Sequence, residues 1–532
     1  GSNYNVFIGE EVSDATMADA INNVGIGYQA LSNVTNTDDN VAIGFQAGTA
    51  LRTGNKNVII GSQAGHDLDN SQFNVAIGNQ ALANEVNGDR NTAVGYHALY
   101  SQDNTSDGNP ANVAIGAFAG YHNVTGIYNT YLGTNAGFGA SGQSHTGNTG
   151  IGYNSLLDVT TGNYNSALGN AAMENITTGG TNVGIGSRAL GTLTTGLYNV
   201  AIGGDAMFAI PAGEAVTGVV AIGVEAAKGD SNTTTGINYS VAIGQESLKY
   251  VRTGARNVAV GYRTLGSLTA GSNNTAVGHE ALYTSVDGSS NTAIGRKALY
   301  TFEGGSDAGE NTAVGALAGF SLTSGVSNVI VGKGALANGT TAAANVAVGV
   351  TAMGLGTVTG VGYNVAVGQQ ALYDLTSGTS NVALGAEAAQ NLTTGNQNIA
   401  IGRQVLSAAT DSSNIVAIGL YAGLDINSSD ADGSVLVGRS AGENITSAIG
   451  NTAIGLNALS ENTTGDYNIA IGHNAMNSQQ AGGTQTTSAT SHNNTYIGVD
   501  AGGGNYADAQ SNYNVGLGNG VLAGVLNGAL KN

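Results

Sequence analysis

The sequence predicts an all-β chain folded as a narrow parallel β-solenoid of about 29 coils. Three observations carry this reading. A unit of the form N-[VT]-A-[IV]-G-x-x-A-L-x-x-x-T-T-G-x-x recurs from Asn5 to Asn514, and 18 of its 28 spacings are 17 residues. Fixed-period self-similarity over a whole chain is the signature of stacked repeats. Glycine holds the fifth place of every copy, from Gly9 to Gly518. Finally, the composition joins 85 glycines and 41% hydrophobic residues to only 2 prolines and 9% charged residues. That is too apolar for disorder and too poor in proline for collagen.

The stretch 364–397, NVAVGQQALYDLTSGTS followed by NVALGAEAAQNLTTGNQ, displays two clean copies. Places 1 to 5 read as a short strand rich in β-branched residues. Its alternation sends Val365 and Val367 to one face and Asn364, Ala366 and Gly368 to the other. The valines are expected to fill the chain's own core, and the small residues to admit a neighbouring chain. The constant glycine, as at Gly368, Gly385 and Gly402, implies a positive φ or a close backbone approach. The Ala-Leu pair at places 8 and 9 is expected to open a second short strand or a corner. Helix is disfavoured there, because glycine and Asn/Thr runs cut each candidate below two or three turns. A Thr-Thr-Gly turn closes the coil. Stacked at ~4.8 Å per coil, the 29 copies would make a rod on the order of 140 Å.

No stretch is left over for another domain, so residues 1–532 read as one continuous solenoid. The start at Gly1-Ser2 reads as a tag-cleavage remnant on a segment of a longer fibre. A strand apolar on both faces is normally covered on both, which implies a homo-oligomer of closed cyclic symmetry.

The recurring N-[VT]-A-[IV]-G with its Ala-Leu and Thr/Gly turn resembles the head repeats of trimeric autotransporter adhesins of the YadA type. It is equally similar to the repeat arrays of bacteriophage tail fibres. Asn257-Val258-Ala259-Val260-Gly261 and Asn451-Thr452-Ala453-Ile454-Gly455 carry the likeness, which extends over essentially every copy. The resemblance implies a left-handed β-roll, a homotrimeric fibre, and attachment to a cell or host surface. The setting it implies is extracellular, on a cell surface or a virion. The 17-residue period exceeds that family's shorter unit, so one turn is enlarged here.

The net charge of −20 rests on 35 acidic and 15 dispersed basic residues. It argues against nucleic acid, whose phosphates call for a basic surface. No apolar run reaches the ~18 to 20 residues of a membrane helix, so this segment is not expected to insert in a membrane. The partners expected are other copies of the chain and a cell-surface glycan or receptor.

Candidate sites follow from departures within the repeat. The asparagine column, including Asn364, Asn381 and Asn398, is expected to form a structural ladder of amides. Lengthened turns are the places to look for binding. They are 101–111, 209–218, 229–239, 302–310, 425–433 and 477–493. The last offers Asn477, Gln479, Gln480, Gln485, Thr486, Thr487 and His492, amide and hydroxyl groups that suit a carbohydrate. Asp425, Asn427, Asp430 and Asp432 supply oxygen ligands for calcium, without the EF-hand spacing; otherwise no cofactor is expected. Tyrosines recur after the Ala-Leu pair (Tyr100, Tyr283, Tyr300, Tyr373) and before the next copy (Tyr128, Tyr164, Tyr198, Tyr467). They suit either a covered core edge or sugar stacking.

No nucleophile or metal-ligand spacing stands out, and no enzyme activity is expected. Two other readings are an ice-binding solenoid using its threonines and a polysaccharide-degrading tail spike.

Overall fold

A computed structural model describes residues 4–13, 15–104, 108–230, 234–303, 309–477, 490–503 and 511–523. Among them each repeat contributes one three-residue strand, 29 in total, and Ser429–Ala431 forms a single 3-10 turn. The chain falls into two compact units, residues 1–270 and 271–532. The first carries fifteen strands, from Val6–Ile8 to Val258–Val260, and the second fourteen, from Thr275–Val277 to Val515–Leu517. In each unit the strands pair in parallel with like places in register. Val24, Gly25 and Ile26 face Val41, Ala42 and Ile43, and Val365, Ala366 and Val367 face Val382, Ala383 and Leu384. Each unit is therefore a parallel β-solenoid with a period of about 17 residues.

The strand covers places 2 to 4 only, because the constant glycine ends it. That glycine has a φ between +125° at Gly186 and +143° at Gly368, a region that L side chains avoid. It also meets the next coil. A Cβ on Gly169 would lie 2.6 Å from the carbonyl oxygen of Gly186. Both reasons anticipated for a glycine apply at once.

The Ala-Leu pair forms a corner and no second strand. Leu82 and Leu372 take φ of +55° and +49°, a left-handed conformation that costs roughly 1–2 kcal/mol per residue. Hydrogen bonds between coils offset that cost: Leu82 N donates to Ala98 O at 2.9 Å and Leu372 N to Ala388 O at 3.0 Å. The turn that follows is tied in the same way, with Thr376 N donating to Thr393 O at 2.9 Å.

The inside of the strand is the reverse of the expectation. Asn364, Ala366, Ala371, Leu372 and Leu375 are fully buried, while Val365 and Val367 are only half-covered. The alternation is as expected, and its direction is reversed. A 17-residue coil leaves room between its walls for a leucine at place 9, an apolar residue at place 12 and only alanine opposite them. Valine or isoleucine inside the strand would overfill that space, at a cost of about 1–3 kcal/mol each, unless a glycine makes room. The two that occur there, Ile59 and Ile330, lie against Gly48 and Gly319 of the preceding coil.

Exceptions follow the same volume rule. Where place 3 enlarges to Tyr131, Leu436 or Tyr496, place 9 shrinks to Gly137, Gly442 or Gly502.

Candidate interaction surface

The reversal turns the β-branched residues outward. Place 2 holds Val, Ile, Thr or Ser in every copy and place 4 holds Ile, Val or Leu, with no charged residue in either column. Stacked in register, they form an uncharged strip two side chains wide on each unit, apolar throughout at place 4 and in most coils at place 2. It includes Ile115, Leu132, Leu168 and Ile243 in the first unit, and Ile294, Leu384, Ile399 and Ile454 in the second, all exposed. Single-chain soluble proteins rarely leave contiguous apolar surface of this kind in water.

The asparagine column faces inward as a hydrogen-bonded ladder. Asn381 donates from its backbone N (3.0 Å) and from Nδ2 (3.1 Å) to Asn364 Oδ1, and Nδ2 reaches Gly395 O at 2.8 Å. Its own Oδ1 accepts from the N and Nδ2 of Asn398, each at 3.0 Å. The side chains are buried, so the column is framework and not a contact surface. Where the asparagine is replaced the rung is only partly lost. Val219 N and Ile415 N still donate to Asn199 Oδ1 and Asn398 Oδ1 at 3.0 Å. Ser240 Oγ and Ser434 Oγ accept from Asn257 N and Asn451 N at 3.2 Å.

Of the loop residues singled out at 477–493, Gln479, Gln480, Gln485, Thr486 and Thr487 lie outside the described residues. The two ends of the loop are engaged with the coils. Asn477 is nearly buried, with its N donating to Asn474 O at 3.2 Å. His492 Nδ1 accepts from Asp466 N at 2.8 Å, and His492 N donates to Asn512 Oδ1 at 2.7 Å.

The four proposed calcium ligands are not gathered into one cluster. Asp425 is bound to the following coil, its N donating to Glu443 O at 2.9 Å; burial and then the Glu443 charge raise its carboxyl above the usual range. Asp432 instead accepts from Ser413 N at 2.6 Å, near Asp411 and Asp430. Asn427 N donates to Thr446 O at 3.2 Å, and Asp430 N to the capping Ser428 Oγ at 3.2 Å. Among the described residues no group of three or more His, Asp and Glu is placed to hold a metal ion.

The tyrosines after the Ala-Leu pair pack on one another. Tyr100 and Tyr121 stack at 5.2 Å and Tyr121 and Phe138 at 5.3 Å, with ring planes within 8°. In the second unit Tyr300 stacks on Tyr283 at 5.7 Å and on Phe320 at 5.3 Å. These half-buried rings face each other along the stack and offer mostly their edges to solvent. Tyr121, Phe138 and Phe320 were not among the expected residues, because glycine replaces the leucine of the Ala-Leu pair before each; column alignment alone finds them. The threonine column likewise points its hydroxyls at the next coil: Thr160 Oγ1 donates to Thr177 O at 3.0 Å and Thr376 Oγ1 to Thr393 O at 3.0 Å.

A buried polar group also escaped the sequence reading. Place 12 is apolar in most coils but holds Glu85, Gln102 and Asn123 in three successive ones. Glu85 accepts from Gly88 N at 2.7 Å and from Asn104 N and Nδ2 at 3.0 Å. Burial raises its carboxyl against those bonds. Gln102 Oε1 accepts from Asn112 Nδ2 at 3.2 Å and Asn123 Nδ2 at 2.9 Å. Nearby, Tyr131 Oη and His145 Nδ1 lie 2.8 Å apart, and burial pushes the His145 imidazole down to about 4.

No protein-family model matches the chain, and no curated protein matches it. No helix among the described residues is long and apolar enough to cross a membrane.

Proposed function

We propose that the chain is the repetitive shaft of an extracellular fibre, assembled from three copies, that attaches to a cell or host surface. The supporting observation is the uncharged strip on the outward strand face, Ile, Val or Leu at place 4 and mostly Val or Thr at place 2. Leaving it in water forfeits about 25 cal/mol for each Å² of apolar surface. A partner that covers such a strip along its length must repeat at the same rise and carry the same irregular intervals. Another copy of this chain does both. Closed cyclic symmetry is the default for such assemblies, and the resemblance of the repeats to trimeric adhesin heads and phage fibres favours three copies. A repetitive solenoid with a few lengthened turns suits presentation of contacts to a host glycan or receptor. The owner of the fibre is a bacterial surface or a tailed phage.

The test is sedimentation of the full chain at micromolar concentration. The expected mass is three times the 52.7 kDa of one chain. Ile401→Lys, placed in the strip, is expected to lower that mass while the β-sheet circular dichroism persists. A wild-type chain that sediments at the single-chain mass refutes the assembly.

A further inference from the structure

We propose that Tyr128, Tyr164, Tyr198 and Tyr239 form a track that binds an extended, neutral, β-1,4-linked polysaccharide. These residues immediately precede the strands Thr130–Leu132, Ser166–Leu168, Val200–Ile202 and Val241–Ile243, each separated from its strand by the ladder place. Between them, the coils of Thr149–Ile151, Val183–Ile185 and Val220–Ile222 place Gly147, Thr181 and Gly218 in the same column. A tyrosine thus occurs on every second coil, with a repeat of about 9.6 Å, twice the spacing of paired strands.

The four share one backbone conformation, with φ of 58° to 60°, so their side chains leave the coil in the same direction. They are 58%, 65%, 62% and 62% exposed. The small residues between them seat the rings. A Cβ on Gly147 would lie 2.6 Å from Cδ1 of Tyr164, and one on Gly218 would lie 2.9 Å from Cδ1 of Tyr239. Each of these two rings lies against the glycine of the preceding coil, with more than half of the residue's surface open to solvent. The fold does not require aromatics here, since Ser290, Ser327, Ser380 and Gln397 fill the same column elsewhere.

An aromatic ring exposed on one side takes up the C–H face of a pyranose, while the sugar hydroxyls seek polar neighbours. The neighbouring column supplies them: Thr146, Asn163, Thr217 and Asn238 are half-buried beside the rings. No charged residue stands in either column between Ile127 and Tyr239, which selects a neutral ligand over an acidic one. Period selects the linkage. One β-1,4-linked hexopyranose advances by nearly the rise of one coil, and alternate residues of its two-fold ribbon present the same face. Every second sugar would then meet a tyrosine.

The inference rests on reading the chain as a surface-binding fibre, but not on its being a trimer. The test measures depletion of the full chain onto insoluble cellulose and chitin, with a helical β-1,3-glucan as the mismatched control. Wild type is expected to bind at least one of the first two and to leave the third. Tyr164→Ser with Tyr198→Ser should weaken binding roughly tenfold or more, the loss of stacking contacts. Tyr164→Thr with Thr181→Tyr keeps the number of rings and destroys their spacing; it should lose binding to a similar degree, with circular dichroism unchanged.

Equal binding by that exchanged variant overturns the proposal, as does failure of wild type to bind cellulose or chitin. A fall in sedimenting mass in either tyrosine variant would place the rings between chains and also overturn it. Binding by a chain that sediments singly would refute the trimer and leave the track standing.

Discussion

Leu436 and Gly442 compensate for one another across a single coil. Leucine replaces the usual alanine inside the strand, glycine replaces the usual leucine at the corner, and a Cβ on Gly442 would lie 2.8 Å from Leu436 Cδ2. Leu436→Ala alone leaves a cavity, with an expected loss of about 2–5 kcal/mol. Gly442→Leu alone overpacks the coil, by about 1–3 kcal/mol. Together they recreate the Ala453 and Leu459 arrangement of the next coil, so the double variant is expected to be more stable than either single one. Urea denaturation of the four proteins measures the coupling, expected to be about 1 kcal/mol or more.

His145 gives the first unit a pH dependence whose sign is set by burial. Its imidazole is pushed from an ordinary 6.5 down to about 4, so the folded chain keeps it neutral. The unfolded chain binds the proton first. Stability from this group is therefore complete above pH 6.5, falls as the pH drops towards 4, and changes no further below that. The total is about 3 kcal/mol. Denaturation midpoints between pH 7 and 4.5 are expected to fall for wild type, and to fall less for His145→Asn.

Replacing Asn381 with leucine should destabilise by about 2–4 kcal/mol, because the N–H and Nδ2 of Asn398 lose their shared acceptor inside the coil. Asn381→Ser should cost less. Ser240 and Ser434 already hold such rungs through their hydroxyls. Thermal melts of the two variants rank them; equal losses would mean that a serine hydroxyl at this place does not replace the amide oxygen as acceptor.

Gly169→Ala probes the constant glycine. The site has a φ of +140° and a carbonyl 2.6 Å from the would-be methyl carbon. A loss of about 3 kcal/mol or more is expected, from strain added to collision. A melt within a degree or two of wild type would contradict the close approach of successive coils at that place.

Much of the fold was legible in the sequence because a solenoid writes each structural decision once per coil. The asparagine ladder, the glycine that ends the strand and the turn carrying Thr376 could all be read from columns. The outward face was less legible. Val365 and Ala366 alternate plainly, yet both are apolar, and hydropathy does not say which of two apolar faces closes on itself. The calcium set shows the limit of sequence proximity: Asp425, Asp430 and Asp432 lie within eight residues, yet among the described residues no three such groups are placed to hold a metal ion.

By itself the sequence determined the period, the parallel in-register stacking and the place of each turn, because these depend on local backbone preferences repeated in every copy. The tertiary structure decided which face is inside. That choice depends on the volume enclosed when both walls of a coil are present, and only alanine fits opposite Leu372 and Leu375. It also brought residues of separate coils together. The stacked rings of Tyr100, Tyr121 and Phe138, the buried pair of Tyr131 and His145, and the spacing from Tyr164 to Tyr198 all arise from the rise between coils, a distance that no single copy of the repeat contains.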